Sequence, residues 1–148
     1  MPYEKVCKAF DNLDKFGYTT RAGIREVSER HLADCLKMTG FRFPNQTGRF
    51  IKLFGDNPID LKYTTRDSLV KDVKGIGMKL ASMFLRNTRG DQVAVIDVHI
   101  INFLKERGEY QGSYLKDEAT LIKIANDNDI SIHDLDFIIW EDRRVGNK

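Results

Sequence analysis

The stretch that decides the fold runs from Val73 to His99 and reads VKGIGMKLASMFLRNTRGDQVAVIDVH. Two glycines near its start, Gly75 and Gly77, flank one isoleucine, and glycine tolerates the backbone angles of tight turns. Helical apolar spacing follows over 78–87, and Asp97 precedes another apolar helical run. The stretch therefore predicts a turn that leads into a helix, with Asp97 as the N-cap of the next helix.

Outside this stretch the apolar spacing is also helical in nearly every segment, so we expect an all-α protein. Pro44 begins one helix, which Gly55 should end, and Thr64 with Asp67 resembles a capping box. In the helix after the turn, the predicted buried face holds Leu80, Ala81, Phe84 and Leu85. The other predicted helices span residues 2–13, 21–38, 64–70, 114–125 and 131–144.

Composition bounds the class of protein without identifying a partner. A chain of 148 residues fits one compact domain built from two small helical lobes around a cleft. The net charge of +2 is only weakly basic. We find no apolar run near the roughly 18 residues of a membrane span and no secretory signal, so we expect a cytoplasmic location. Cys7 and Cys35 are expected to be reduced, buried thiols.

The turn at Lys74–Gly77 is a candidate phosphate cradle. Two residues without Cβ let successive N–H groups face one way, and the helix that begins at Met78 adds its own unpaired amides. Such a turn binds a DNA backbone without reading its sequence. A tight turn between any two helices also favours glycine, so this pattern alone does not decide between the two interpretations.

Lys79 lies at the start of that helix, and Asp97 follows it by 18 positions. A nucleophilic lysine must lose its proton, which burial or a neighbouring cation favours and an ionised carboxylate opposes. If these two groups act together, the carboxylate must lie near the amine without forming a close ion pair that would keep the amine protonated. Taken alone, these residues favour the simpler interpretation of Lys79 as a surface lysine beside a turn, and Asp97 is explained as well by a helix cap.

The residues from Val73 to His99 resemble the helix-hairpin-helix and Gly/Pro-Asp core of the DNA base-excision glycosylases, with the hairpin over about 65–87. This resemblance implies that the hairpin grips DNA, that Lys79 is the nucleophile and that Asp97 is its carboxylate partner. Endonuclease III-like members, which remove oxidised pyrimidines, usually carry an iron-sulfur cluster held by four cysteines after the aspartate. No cysteine follows Asp97.

Further segments resemble the compact 8-oxoguanine DNA glycosylase/AP lyase family of archaea and some bacteria. These are GIGMKLASMFLRN, AVIDVHI, TTRAGIRE near Arg21, and the stretch that contains Arg42 and Phe43. In that family a tryptophan stacks on the extruded base and the carboxylate of a terminal lysine recognises it, which implies these roles for Trp140 and Lys148. The resemblance covers about Arg21 to Lys148, and the N-terminal part is shorter than is usual in the family.

The resemblance implies a bifunctional enzyme that removes 8-oxoguanine from double-stranded DNA and cleaves abasic sites through a Schiff base. Trp140 and Phe43 would sandwich the base, Arg42 would line its pocket, and Gly75, Gly77 and His99 would contact phosphates. We expect a monomer that needs no metal or organic cofactor, with a monovalent cation at the hairpin carbonyls left open. The alternatives are a non-catalytic DNA-binding module and an endonuclease III-like pyrimidine glycosylase.

Overall fold

The computed structural model describes residues 3–145, and every regular element in that range is an α-helix. The all-α prediction is therefore confirmed. The helices are α1 Tyr3–Lys15, α2 Arg21–Glu26, α3 Glu29–Met38, α4 Pro44–Asp56, α5 Arg66–Asp72, α6 Met78–Arg89, α7 Val98–Glu106, α8 Tyr114–Asp127 and α9 Ile132–Val145. None of these helices is long and apolar enough to cross a bilayer.

The chain forms two compact units, Met1–Gly75 and Ile76–Lys148. In the first unit, α3 packs most extensively against α4. Gly48 makes this approach close, because a Cβ there would lie 2.9 Å from the backbone nitrogen of Ala33. A second packing surface joins α1 to α3, and its buried residues are Ala9, Leu13, Val27, Leu32, Cys35 and Leu36. Burial raises the pKa of the Cys35 thiol, so it stays protonated, as expected for a buried cysteine.

The single helix predicted over 21–38 is wrong, since the chain forms two helices there. Val27 is extended, with φ −93° and ψ 149°, and Ser28 starts α3 by accepting a hydrogen bond from His31 N at 3.2 Å. The apolar spacing continues across the break because Val27 and Leu32 both enter the core. The spacing of apolar residues therefore did not reveal that Ser28 caps a new helix.

Two predicted helix ends in the first unit also need correction. Gly55 does not end α4, which continues to Asp56. A Cβ on Gly55 would lie 2.4 Å from Ile24 Cγ2, so this glycine permits close packing between α2 and α4. The capping box belongs to Thr65 and Ser68 rather than to Thr64 and Asp67, with Ser68 N donating to Thr65 Oγ1 at 3.2 Å.

The two glycines of the turn differ in what they require. Gly75 has a φ of +89°, and a Cβ there would lie 2.3 Å from the ring of Phe50. Gly77, the N-cap of α6, has an ordinary extended backbone with φ −100° and ψ 179°, and a Cβ there would meet nothing within 4 Å. Of the two, only Gly75 therefore occupies a position that strains any other residue.

The core of the second unit is formed by α7, α8 and α9 with the extended segment that precedes α7. Its buried residues are Ala94, Ile96, Ile100, Leu104, Leu121, Ala125, Ile132, Leu135 and Ile139. On α6 the buried residues are Ala81, Ser82 and Leu85. The prediction that Leu80 is buried is wrong, because it lies on the opposite side of the helix and is 49% exposed.

We predict that Gly75→Ala lowers the free energy of unfolding by about 1–3 kcal/mol, because alanine at positive φ is strained and its methyl group meets Phe50. The matched substitution Gly77→Ala should change it by less than about 0.5 kcal/mol. Urea unfolding of the two variants tests this difference, and equal losses would contradict it.

Candidate active site

A cleft of about 240 Å³ opens within the second unit. Three segments line it: α6, the extended segment before α7, and α9. The lining residues are Met83, Arg86, Val95, Asp97, His133, Asp136, Phe137 and Trp140. Two residues predicted from sequence, Asp97 and Trp140, therefore share one cavity although 43 positions separate them in the chain.

Asp97 occupies the N-cap of α7, as predicted. Its Oδ1 accepts hydrogen bonds from His99 N at 2.8 Å and from Ile100 N at 3.1 Å. The cap uses Oδ1 for both bonds, so Oδ2 takes no part in it. The two amide donors hold the carboxylate in one orientation at the wall of the cleft, where it can stabilise a positive charge.

Lys79 is an exposed residue in the first turn of α6. It precedes Met83 by four residues and Arg86 by seven, so all three share one face of the helix. Since Met83 and Arg86 line the cleft, that face is the cleft-lining face of α6. Lys79 itself does not line the cleft. The helix register places it one turn from Met83, on the same side of α6.

Arg86 and Asp136 form an ion pair between α6 and α9. Their side chains are only 14% and 16% exposed. A partly buried pair of this kind is costly to break, since the remaining charge would lack a partner. Within the described part of the chain, Arg86 Nε is buried and has no hydrogen-bond partner. The pair links the helix that carries Lys79 to the helix that carries Trp140.

Sequence reasoning missed six lining residues: Met83, Arg86, Val95, His133, Asp136 and Phe137. Two of them could have been found, because Met83 and Arg86 follow Lys79 at helical spacing. Val95 lies in the extended segment before α7, and the other three lie on α9, whose approach to α6 depends on contacts between distant positions of the chain.

Trp140 and Phe137 form the aromatic part of the cleft. Their ring centroids lie 6.4 Å apart with an interplanar angle of 32°. Trp140 is 41% exposed, so a ring surface remains accessible to solvent. Flat apolar faces of this kind stack on bases. The predicted partner of Trp140 in base recognition, Lys148, lies outside the described residues.

Arg42 and Phe43 lie in the first unit. Phe43 is the residue before α4 and has left-handed backbone angles, φ 59° and ψ 50°. Its side chain is 60% exposed, and the guanidinium carbon of Arg42 lies 4.8 Å from its ring centroid. An exposed aromatic residue in a strained conformation often serves a function, and the roles predicted for both residues remain predictions.

His99 lies in the first turn of α7, where its backbone N–H donates to Asp97. Its side chain is half-buried. The start of a helix also carries the positive end of the helix dipole, which favours a phosphate nearby. The phosphate contact predicted for His99 remains a prediction.

A family model described as 8-oxoguanine DNA glycosylase matches residues 5–130. The 8-oxoguanine DNA glycosylase/AP lyase of Korarchaeum cryptofilum is 36% identical, over 80% of this chain and 65% of that protein. The protein of the same description from Thermotoga petrophila is 34% identical, over 80% of this chain and 64% of its own length. The chain thus spans slightly less than two thirds of these relatives.

Two solved structures have the same fold. One is Methanocaldococcus jannaschii 8-oxoguanine glycosylase/lyase in complex with 15mer DNA containing 8-oxoguanine, with a TM-score of 0.70 and 29% identity over 91% of this chain and 71% of that one. The other is the 8-oxoguanine DNA glycosylase of Thermotoga maritima, with a TM-score of 0.69 and 28% identity over 88% and 68% of the two chains. The predicted helix-hairpin-helix glycosylase fold is confirmed.

We predict that Asp97→Ala lowers the free energy of unfolding by about 0.5–2 kcal/mol, because α7 loses the acceptor for two amides. Asp97→Asn keeps a side-chain oxygen that can accept these bonds, so its loss of unfolding free energy should be a small fraction of the loss in Asp97→Ala. Thermal and urea unfolding of both variants measure the difference. If asparagine proves as destabilising as alanine, the capping role assigned to Oδ1 is wrong.

Proposed function

The chain belongs to the 8-oxoguanine DNA glycosylase family, and on that premise we propose that it removes 8-oxoguanine from double-stranded DNA and cleaves the resulting abasic site. One observation carries the proposal. Asp97 and Trp140 line a single cleft, and Lys79 lies on the helix face that contributes Met83 and Arg86 to it. A nucleophile, a carboxylate and a stacking surface thus belong to one part of the fold.

The proposed chemistry begins with Lys79. The Nζ lone pair forms a bond to the sugar C1′ while the C1′–N9 bond breaks, and the base leaves with that electron pair and takes up a proton. Asp97 stabilises the positive charge that develops on the sugar and accepts the proton that the amine loses. Lys79 is exposed in the free protein. Bound DNA must therefore supply the burial that favours an uncharged amine.

The second step cleaves the strand. When the sugar ring opens, Asp97 passes the proton it took from the amine to the ring oxygen, and a Schiff base forms between Nζ and C1′. Asp97 then accepts a proton from C2′ as the C3′–O bond breaks and the 3′ phosphate leaves. Water then releases the aldehyde and restores the amine. The amine and the carboxylate supply all of this chemistry, so we propose that no metal or organic cofactor takes part. A monovalent cation at the hairpin carbonyls would affect DNA binding rather than these steps.

The substrate base must leave the duplex to reach the cleft, at a cost of a few kcal/mol. Trp140 and Phe137 provide aromatic surface for the flipped purine, and Met83 adds a polarizable apolar side chain. Lys148 is proposed to contribute to recognition of the guanine edge. In the first unit, Arg42 and Phe43 are proposed to contact the lesion or its surroundings.

The turn at 73–77 is proposed to bind the DNA backbone. Gly77 leaves open space at the start of α6, where free amides and the positive end of the helix dipole favour a phosphate. His99 would add a contact at the start of α7. These contacts do not depend on base sequence. We propose that the protein acts as a monomer on DNA in the cytoplasm.

We predict that borohydride reduction of the protein with a duplex containing 8-oxoguanine traps a covalent adduct with the wild type and none with Lys79→Gln. The reason is that only an amine can form the reducible Schiff base. Denaturing gel electrophoresis measures the adduct. Lys116→Gln is the matched control, because Lys116 is also an exposed lysine in the first turn of a helix of the second unit.

Asp97→Asn gives a second arm of this experiment. It should retain the fold and DNA binding but lose at least about a hundredfold in excision rate, the scale expected when a charge-stabilising group is removed. An adduct formed by Lys79→Gln would refute the nucleophile assignment. Binding without any adduct in the wild type would favour the non-catalytic DNA-binding module.

We predict that Trp140→Ala lowers excision of 8-oxoguanine about 10- to 100-fold, because stacking on an aromatic side chain contributes about 1–3 kcal/mol per base. Cleavage of an abasic duplex should change little, since no base is present to stack. Trp140→Phe, which keeps an aromatic ring, is the control. Single-turnover rates on duplexes with 8-oxoguanine, thymine glycol or an abasic site give the answer.

Faster cutting of thymine glycol than of 8-oxoguanine by the wild type would indicate the endonuclease III-like specificity instead. Equal losses on the abasic and 8-oxoguanine duplexes would show that Trp140 does not act through the base.

A further inference from the structure

A largely buried polar network joins α6, α8 and the extended segment before α7, and the chemistry proposed above does not use it. Its centre is the phenolic oxygen of Tyr114, in the first turn of α8. This oxygen lies 3.0 Å from Ser82 Oγ and 2.9 Å from the carbonyl oxygen of Ala94, and it accepts a hydrogen bond from Ile96 N at 3.2 Å. Glu118, also on α8, accepts from Ala94 N at 2.9 Å.

Two directions in this network follow from the groups involved. The carbonyl of Ala94 can only accept, so the phenolic hydroxyl of Tyr114 donates to it. The amide of Ile96 can only donate, so the phenolic oxygen accepts from it, while Ser82 Oγ lies within hydrogen-bond distance of the same oxygen. Ser82 is fully buried, Glu118 is 6% exposed and Tyr114 is half-buried, so these bonds are partly shielded from water, which makes losing one more costly.

The network determines the path of the segment that ends at Asp97. Residues 90–97 belong to no helix, so their backbone groups lack the partners that a helix supplies. Tyr114 and Glu118 provide partners for both backbone groups of Ala94 and for the amide of Ile96. Ile96 directly precedes the proposed catalytic carboxylate.

The same phenol also contacts the helix of the proposed nucleophile. Ser82 follows Lys79 by three residues, so it lies less than one turn away on α6. Tyr114 thus joins α6 to the segment before Asp97, with one hydrogen bond to Ser82 and two to the backbone of Ala94 and Ile96. A shift of about 1 Å between reacting groups can cost a hundredfold in rate.

We propose that Tyr114 and Glu118 are positioning residues that hold Asp97 at its working distance from Lys79. This inference rests on the proposed function, because it assigns both residues to the reaction that Lys79 and Asp97 would carry out. Neither residue contacts the substrate in this scheme. They act by satisfying the backbone of one extended segment and by joining it to α6.

Tyr114→Phe removes the hydroxyl and keeps the ring that packs against the core of the second unit. We expect the single-turnover rate of 8-oxoguanine excision, at saturating duplex and per folded molecule, to fall at least tenfold. The Kd for the same duplex should stay within twofold, since the turn and the cleft aromatics are unchanged. Tyr110→Phe is the matched control, because Tyr110 is an exposed tyrosine of the same unit.

Two substitutions of Glu118 test whether the acceptor for Ala94 N is what matters. Glu118→Gln keeps an oxygen that accepts from Ala94 N and should retain most of the rate, whereas Glu118→Ala should lose it. If Tyr114→Phe does not fold, Ser82→Ala takes its place, because it removes the bond between Tyr114 and α6 and leaves the phenol in place. A tenfold loss at unchanged Kd in Ser82→Ala would support the proposal.

An unchanged rate per folded molecule in Tyr114→Phe, even with a lowered Tm, would show a purely structural role and overturn the inference. So would equal rates in Glu118→Gln and Glu118→Ala. If the wild type forms no borohydride-trapped adduct with Lys79, the proposed function itself fails, and that result is distinct from a failure of the positioning role.

Discussion

The backbone of residues 90–97 runs between two helices without a helical partner of its own, and the second unit is organised around satisfying it. Tyr114 and Glu118 supply side-chain partners from α8, and Asp97 completes the path by capping α7. An unpaired backbone group in this buried region would cost about 1–3 kcal/mol. The segment therefore has one favoured course, and that course brings Asp97 to the wall of the cleft.

The carboxylate of Asp97 serves both the stability of α7 and the proposed reaction. Oδ1 receives two amide donors from the start of α7, so the helix end that needs a cap also orients the group that the proposed reaction needs. Across the cleft, the ion pair of Arg86 and Asp136 joins α6 to α9. Rigid helices thus hold the groups of the site, as a reaction that depends on placement requires.

Much of the site could be predicted from the local sequence because its signals span only a few residues. The cap at Asp97, the positive φ at Gly75 and the register of Lys79 within α6 each depend on neighbours close in the chain. Local signals also misled. Apolar spacing continued through the break at Val27 and Ser28, and it assigned Leu80 to a buried face that Ser82 occupies instead.

By itself, the sequence determined the all-helical class, the turn before α6, the cap of α7 and the resemblance that singled out Lys79 and Asp97. These features follow from backbone preferences and short-range hydrogen bonds, which a few adjacent residues specify. Only the tertiary structure decided that Asp97 and Trp140 share a cleft, that Arg86 pairs with Asp136 and that Tyr114 joins α6 to the segment before Asp97. Those contacts join residues between 18 and 50 positions apart, and packing of the whole unit selects them.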